Sequence, residues 1–375
     1  MYKRMLWLSA LSLLLSTVAL AQESKLEQEL KKELTELKAR LAHAQALLNK
    51  VKQNALQGDD VQEDAEKPAP AINTPSALSL SPEGYEKDTP RFDILLQSRG
   101  DFFWDEEKTS TFFLRKAELG IKGHAAEHVD FSIEIDPVRP DDPLRRTYIR
   151  LSHLSWLHIK FGMEKAPLGL EELSSTAQIP FVDRSEINDR FAAAEEIGVH
   201  LESRWTKWLL QFAVTNGGRR LLRDNNDHKD VSARIVWAPN HWLSLGGATL
   251  LGRAGVDELQ RDRYNFEFKL GTNLSGFQSE LYRARDDEVW SSAFYGAGYW
   301  ALPVQSSWLT HVQPVVRYEY IDRDDDNRFE ELSLLTFGIS LMLDEHRSKF
   351  QINFLKDLKT GTRKDELRAQ YQVEL

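Results

Sequence analysis

The sequence predicts an all-β fold, a 16-stranded antiparallel transmembrane β-barrel with an N-terminal α-helical coiled-coil segment. Sixteen stretches that alternate apolar and polar residues follow one another after Pro90. The connections between them alternate between short and long, and their polar faces carry full charges in mid-strand. An even number of antiparallel strands, with short turns at one rim and long loops at the other, is typical of outer-membrane barrels.

The alternation is clear in the third stretch, "VDFSIEI", where Asp130, Ser132 and Glu134 separate four apolar residues. Short connections are expected after predicted strands 2, 4, 6, 8, 10 and 14, and longer ones after strands 3, 5, 7, 9, 13 and 15. A secreted soluble sandwich is the alternative, but it would bury its apolar faces between two sheets. Charged polar faces instead favour apolar faces that contact lipid and polar faces that contact water.

The last stretch, residues 365–375, keeps its alternation to the end of the chain and finishes on Leu375. An unpaired strand edge in hydrocarbon leaves backbone groups without partners, so sheets in lipid must close. We therefore expect this strand to pair with the first strand, with Leu375 facing lipid.

Residues 1–21 predict a secretory signal peptide. A basic pair, Lys3 and Arg4, precedes an apolar run that ends in an A-x-A cleavage site at Ala19-Leu20-Ala21. A membrane-anchor helix is the alternative, but the run is short for a transmembrane span and ends on small residues. The sequence has no cysteine, which excludes a disulfide scaffold and a thiolate metal site.

Residues 22–57 predict a coiled coil that lies in the periplasm. Apolar residues follow one another at steps of four and three, as in a heptad seam: Leu30, Leu34, Leu37, Leu41, Ala44, Leu48, Val51 and Ala55. A lone amphipathic helix is the alternative, but so narrow a seam on a polar helix favours self-association. Residues 58–90 contain five prolines among acidic and small residues and predict a flexible linker to the barrel at 91–375.

Several short motifs occur along the barrel segment. They include "FLRKAELGIKG" at Phe113–Gly123, "FGMEKAPLGLEELSS" at Phe161–Ser175 and "FVDRS" at Phe181–Ser185, followed by "QFAVTNG", "ARIVWAP", "PVVRYEY" and "YQVEL". Taken in order, these motifs resemble the phosphate-selective porin O/P family over Phe92–Leu375.

The resemblance implies a trimeric 16-stranded outer-membrane porin whose third external loop folds into the lumen. In this sequence that loop is the connection at about 165–194, which is long for a compact domain and contains the apolar "IPFVD". A mobile external flap is the alternative reading of this loop. The expected function is passive diffusion of small polar solutes and ions, with a possible preference for anions or phosphate.

Cations at a constriction would favour anions. The family motifs place Arg115, Lys116, Lys165 and Arg184 at the expected pore-lining positions, and the alternation adds Arg150, Lys160, Arg190, Arg234 and Arg317. Carboxylates occur among them at Glu118, Asp130, Glu134, Glu164, Asp183, Glu186 and Glu267. For any one of these cations, a wall charge in an ion-paired lattice is the alternative to a ligand for the permeant anion.

The sequence predicts no enzyme, no cofactor, no metal site and no nucleic-acid partner. It lacks G-x-S-x-G, H-E-x-x-H and a Gly-rich phosphate loop. An outer-membrane hydrolase built on Ser152 with His158 or His200 is a minor alternative, and a structural envelope tether is another. The expected partners are the chain itself as a homotrimer, outer-membrane lipid and lipopolysaccharide, and small anions or phosphate as permeants.

Overall fold

The computed structural model describes residues 90–105, 107–218, 224, 226–323, 331–359 and 365–375. The predicted signal peptide, coiled coil and linker lie outside the described residues. Within the described part of the chain, no helix is both long enough and apolar enough to cross a membrane.

The described residues form one closed antiparallel sheet of seventeen strands. The strands are β1 Arg91–Phe103, β2 Thr111–Ala126, β3 Val129–Ile135, β4 Thr147–Leu154, β5 Leu157–Lys165, β6 Glu195–Trp205, β7 Trp208–Thr215, β8 Asp230–Asn240, β9 Leu243–Ala254, β10 Leu259–Gly271, β11 Ser275–Asp286, β12 Val289–Trp300, β13 Leu302–Pro303, β14 His311–Arg323, β15 Leu332–Asp344, β16 Ser348–Asp357 and β17 Glu366–Glu374. The two-residue β13 pairs with β14 beside the longer β12–β14 ladder, so the barrel wall has sixteen positions. This confirms the predicted 16-stranded antiparallel barrel.

The barrel closes between the first and last strands. Leu95 to Phe103 of β1 pair with Glu366 to Glu374 of β17. Beyond this ladder, Leu375 N donates to Ile94 O over 2.9 Å and Ile94 N donates to Leu375 O over 3.1 Å. The side chain of Leu375 is exposed, as predicted for a terminal residue on the outer face.

The two faces of the wall have opposite chemistry. On β10, the outward Tyr264 and Phe266 are exposed, whereas the alternate residues Arg263, Glu267 and Lys269 are buried inside the barrel. The same alternation recurs around the wall, so charged side chains line the interior and large apolar side chains cover the exterior. Apolar side chains on the exterior are suited to contact with lipid. Closure of the sheet also leaves no strand edge whose backbone groups would lack hydrogen-bond partners in hydrocarbon.

The connections distinguish the two rims. Those at 127–128, 155–156, 206–207, 241–242, 272–274 and 345–347 form a short-turn rim. The strand ends that flank the longer connections after β3, β5, β7, β14 and β16 lie at the opposite, long-loop rim. The long connection predicted after strand 9 is wrong. Gly255, with a φ of 73°, and Glu258, with a φ of 52°, instead close a four-residue turn between β9 and β10.

A bulge in β2 changes which of its residues face inward. Gln97 pairs with Lys116 and the next residue, Ser98, pairs with Leu114, so Arg115 is an extra residue on β2. A bulge of this kind shifts the alternation of the strand by one position. Arg115 and Lys116 therefore both face the lumen, although neighbours in a regular strand point to opposite faces.

The connection between β5 and β6 folds into the barrel, as predicted. It contains a short helix at Leu170–Leu173, a 3-10 turn at Thr176–Gln178 and a second helix at Glu186–Phe191. We call residues 166–194 the constriction loop. Phe181 and Ile187 of this loop are fully buried and join Tyr282 and Tyr295 of the wall in a common apolar cluster.

Candidate constriction inside the barrel

The middle of the constriction loop is fixed to the wall formed by β15, β16 and β17. Lys349 Nζ donates to Ile179 O over 2.7 Å, and Gln351 Nε2 donates to Pro180 O over 2.8 Å. Val182 N in turn donates to Asn353 Oδ1 over 2.7 Å. Backbone groups of the loop thus find buried partners on the far side of the lumen, which excludes an external flap.

Asp183, next in the loop, lies among three guanidinium groups. Its Oδ2 accepts from Arg99 Nη1 at 2.5 Å and from Arg368 Nη1 at 2.8 Å, and its Oδ1 accepts from Arg115 Nη2 at 3.1 Å. Burial opposes the charge of this carboxylate, but Arg99, Arg115 and Arg368 together hold the pKa of Asp183 well below its usual range.

Arg184 and Lys165 bind the backbone of the first half of the loop. Arg184 donates to Glu171 O over 3.0 Å and to Ser174 O over 2.9 Å. Lys165 Nζ donates to Glu172 O and lies 3.6 Å from Glu172 Oε1. Burial opposes the charge of the Glu172 carboxylate, whereas Arg184 and Lys165 lower its pKa.

Two cavities adjoin along the wall from β2 to β7, beside the constriction loop. The outer cavity, of about 340 Å³, includes Arg139 and Arg145 on the long-loop side. The inner cavity, of about 330 Å³, includes Lys122 and Asp130 near the short-turn rim. Arg146 and Lys165 line both cavities and therefore mark the boundary between them.

Cations outnumber carboxylates in both cavities. The outer cavity has seven cationic side chains, namely Arg115, Lys116, Arg139, Arg145, Arg146, Lys165 and Arg184, and five carboxylates, namely Glu118, Glu134, Glu172, Asp189 and Glu195. The inner cavity has five cationic side chains, namely Lys122, Arg146, Arg150, Lys160 and Lys165, and three carboxylates, namely Asp130, Glu164 and Glu202. The charge lining the two cavities is thus positive, although the whole chain carries a net charge of −10.

Most of these cations have a carboxylate partner. Arg146 Nη2 lies 2.7 Å from Glu134 Oε2, and Arg150 Nε lies 2.8 Å from Asp130 Oδ2. Lys160 Nζ lies 2.6 Å from Glu164 Oε2, and Lys116 Nζ is paired with Glu118. The ion-paired lattice that the sequence left open is therefore present at these positions.

Asp189 is exposed to the outer cavity. For its carboxylate no hydrogen-bond partner is found among the described residues. Enclosure in the barrel, together with the charges of Asp183 and Glu186, raises the pKa of Asp189 to about 6. The charge of the outer cavity therefore changes near neutral pH.

The remaining predicted cations lie away from the shared boundary. Arg234 forms a two-bond pair with Glu267, at 3.0 and 2.6 Å, and lines a third cavity of about 180 Å³. Arg317 is buried beneath the loop, where its guanidinium lies 4.5 Å from the Phe181 ring. Arg190 is exposed on the helix at Glu186–Phe191.

Sequence reasoning missed Arg146, the residue shared with Lys165 at the boundary. It precedes the observed β4 by one residue, although the predicted fourth strand already began at Arg146, and its shared parity with Arg150 was not used. A usable signal was the spacing Arg146, Tyr148 and Arg150, which continues the inward parity of β4 beyond the start of the strand.

The closed barrel with its charged interior and inward loop has the architecture of outer-membrane porins. The family model described as phosphate-selective porin O and P matches residues 97–250, which confirms the predicted resemblance. No curated protein matches the chain.

Solved structures share the fold at low sequence identity. OmpTdeltaL8, a loop L8 deletion mutant of OmpT from Vibrio cholerae, is 11% identical with a TM-score of 0.57 and covers 76% of this chain and 99% of its own. An OmpF complex with daunomycin from Salmonella typhi is 8% identical with a TM-score of 0.58, covering 76% and 97%. An anion-selective porin from Comamonas acidovorans is 11% identical with a TM-score of 0.56, covering 76% and 98%.

At such identities the solved structures show the fold alone. The family match favours a channel in the bacterial outer membrane over an enzyme.

Proposed function

We propose that this protein is a narrow, anion-preferring diffusion channel whose route follows the outer and inner cavities past Arg146 and Lys165. The observation that carries the proposal is the excess of cations in both cavities, which meet at these two side chains. In a narrow, low-dielectric passage such an excess raises the local concentration of anions.

The preference is expected to be modest. Nearly every cation along the route has a carboxylate within ion-pair distance, so the field acting on a permeant comes from the small surplus of cations. This supports diffusion of small polar anions in general, and a dedicated phosphate site would need cations without such partners.

The reversal potential in a salt gradient across a planar bilayer tests the proposal. Lys165→Glu and Arg146→Glu should each move it toward cations, because each reverses a charge on both cavities. Arg347→Glu is the matched control, since Arg347 lies in a short turn at the rim with its side chain 67% exposed. An unmodified channel without anion preference, or an equal shift in the control, would contradict the proposal.

Phosphate is tested in the same bilayers. Phosphate added to a chloride bath should reduce the chloride current if it binds along the route. Unchanged current would make the channel a general anion pore.

We further propose that the chain self-associates as a homotrimer, embedded in outer-membrane lipid beside lipopolysaccharide. One solved structure with the same fold, in-vitro folded OmpT of Vibrio cholerae, is a trimer form. The exposed apolar exterior supports contact with lipid or with a second copy. Cross-linking in native membranes would reveal a trimer, and a monomeric pattern there would contradict this proposal.

A further inference from the structure

The constriction loop is held by a buried carboxylate on the opposite wall. Glu280 of β11 is fully buried, and its two oxygens accept the backbone N–H groups of Leu170 at 2.7 Å and Glu171 at 3.0 Å. The same carboxylate accepts the hydroxyl of Tyr295 at 2.8 Å and that of Tyr282 at 3.2 Å. Both oxygens of Glu280 are therefore used as acceptors, and both hold the loop.

Two further carboxylates hold the other half of the loop. Glu319 of β14 accepts the backbone N–H of Glu186 at 2.7 Å. Glu171, within the loop itself, accepts both the backbone N–H and the hydroxyl of Ser185, at 2.8 and 2.7 Å. Together Glu171, Glu280 and Glu319 form what we call the carboxylate latch.

The three carboxylates of the latch carry more negative charge than is neutralised by the single cation bonded to them in the described part of the chain. Among the described residues, Arg317 is the cation bonded to it, through Glu319 at 2.8 Å and Glu171 at 3.4 Å. No arginine or lysine of the described chain bonds to Glu280. Glu267 lies directly opposite Glu280 in the β10–β11 register, and its own partner is Arg234.

The groups that face the latch come from every element around it. They are Glu267 and Asn265 on β10, Tyr282 on β11, Tyr295 on β12, Arg317 on β14, and Glu186 on the loop. A buried carboxylate without a bonded cation, close to like charges, takes up a proton more readily than an exposed one.

We propose that Glu280 and Glu319 are positioning residues for the constriction and that protonation of Glu280, the latch carboxylate without a bonded cation among the described residues, releases the loop from the wall. A proton on Glu280 removes the negative charge and turns one of its two oxygens into a hydroxyl, which is a weaker acceptor than a carboxylate oxygen. The hydrogen bonds that Leu170 N–H and Glu171 N–H donate are then no longer charge-assisted, so the hold on the loop weakens. The inference rests on the proposed channel, because the released loop widens the same route.

The first experiment follows single-channel conductance from about pH 8 to about pH 4, a range that spans the titration of carboxylates in proteins. In the unmodified protein, conductance should rise, or become noisy, as the pH falls. Glu280→Gln keeps the shape of the side chain but presents an NH₂ group to one N–H, so it should show this behaviour already at neutral pH and lose most of the pH dependence.

Glu196→Gln is the matched control. Glu196 is also a fully buried wall carboxylate, but it pairs with Arg261 at 3.0 Å and has no bond to the loop. It should keep the pH profile of the unmodified protein. A merely structural role of Glu280 would lower the stability of the barrel without flattening the profile.

A second experiment detects loop release without current. The sequence has no cysteine, so Leu170→Cys introduces a single thiol at a buried loop position whose backbone N–H donates to Glu280. Ser306→Cys, at an exposed position in the connection that includes β13, provides the reference rate for a thiol reagent at each pH. Relative to it, the thiol at position 170 should react several-fold faster at acid pH and in the Glu280→Gln background.

These readouts separate the inference from the proposed function. Faster labelling at acid pH with no anion preference would support the latch and contradict the proposed selectivity. A labelling rate that does not depend on pH would contradict the latch proposal, whatever the ion selectivity of the channel. The same holds if the conductance of Glu280→Gln depends on pH in the same way as that of the unmodified protein. Migration of the folded barrel on unheated gels confirms that each variant has folded.

Discussion

Replacing Asp183 by asparagine tests how strongly the constriction loop is attached to the wall of β1, β2 and β17. The substitution keeps the size of the side chain and removes the charge that three guanidinium groups share. Arg115 is then left with no carboxylate partner among the described residues, because its one ion pair is with Asp183.

The size of the stability loss depends on the carboxylate partners that Arg99 and Arg368 keep when the charge of Asp183 is removed. Arg99 also bonds to Asp101, and Arg368 also bonds to Glu366, at 2.6 and 3.0 Å. Removal of one partner from a buried ion pair costs about 3 to 5 kcal/mol. Because two of the three arginines keep a carboxylate, we expect the lower end, about 3 kcal/mol. A loss of that size changes an equilibrium constant by roughly a hundred-fold.

Urea unfolding of the barrel in lipid vesicles, followed by tryptophan fluorescence, measures this loss. Asp101→Asn is the matched control, since Asp101 bonds to Arg99 and has no bond to the loop in the described structure. Its loss should be clearly smaller. A double-mutant cycle of Asp183→Asn with Arg115→Gln should give a coupling energy, because Arg115 depends on Asp183 alone.

The reasoning is refuted if Asp183→Asn costs less than about 1 kcal/mol, which is typical of an exposed ion pair. It is also refuted if the control loses as much as the test variant. Either result would mean that the three arginines are solvated well enough to need no carboxylate from the loop.

Two further predictions concern the outer cavity and the loop. Replacing residues 168–192 by a short flexible linker should raise single-channel conductance several-fold, because the narrowest section dominates the resistance; unchanged conductance would place the loop outside the route. Anion preference should rise as the pH falls through about 6, because Asp189 then loses its charge, and Asp189→Asn should remove this part of the pH dependence of the reversal potential. The raised pKa also means that Asp189 contributes to the stability of the fold below its ordinary pKa of 3.8, and that this contribution is lost as the pH rises through about 6. Urea unfolding at neutral pH should therefore show that Asp189→Asn is more stable than the unmodified protein.

Strand periodicity was a reliable guide because the two faces of this wall contact different solvents. Phe266 faces the exterior and Glu267 faces the lumen. A shift of the strand pairing by one residue would turn every side chain of the strand to the opposite face, so the alternation of apolar and polar residues specifies the register. The constriction loop was predictable for another reason: the family resemblance implied an inward third loop, and its apolar "IPFVD" segment favoured burial, which the structure shows for Phe181 in the cluster that also contains Tyr282 and Tyr295.

The alternation of apolar and polar residues along each strand could not predict local irregularities or long-range contacts. The bulge that turns both Arg115 and Lys116 inward depends on the register between β1 and β2, which no single strand reveals. The binding of Arg184 to loop carbonyls depends on how the loop folds back on itself. Charge and position in the sequence made Arg184 equivalent to Lys165, and the structure shows that both donate to the carbonyls of Glu172 and Ser174, a contact that no strand pattern reveals.

The pairing of the lumen cations bears directly on what kind of selectivity this barrel can have. A cation that already bonds to a wall carboxylate gives an entering anion only part of its charge, and an anion that displaced the carboxylate would leave that group buried and unpaired. Arg150 with Asp130 and Lys160 with Glu164 are of this kind. Any selectivity on the proposed route therefore comes from the net excess of cations over carboxylates along the two cavities, because Arg146 and Lys165 at their boundary are themselves paired with Glu134 and Glu172. Such a field distinguishes permeants mainly by their charge and less by their shape. A compact dianion should therefore be attracted into the route more strongly than chloride, and added salt should weaken that attraction by screening.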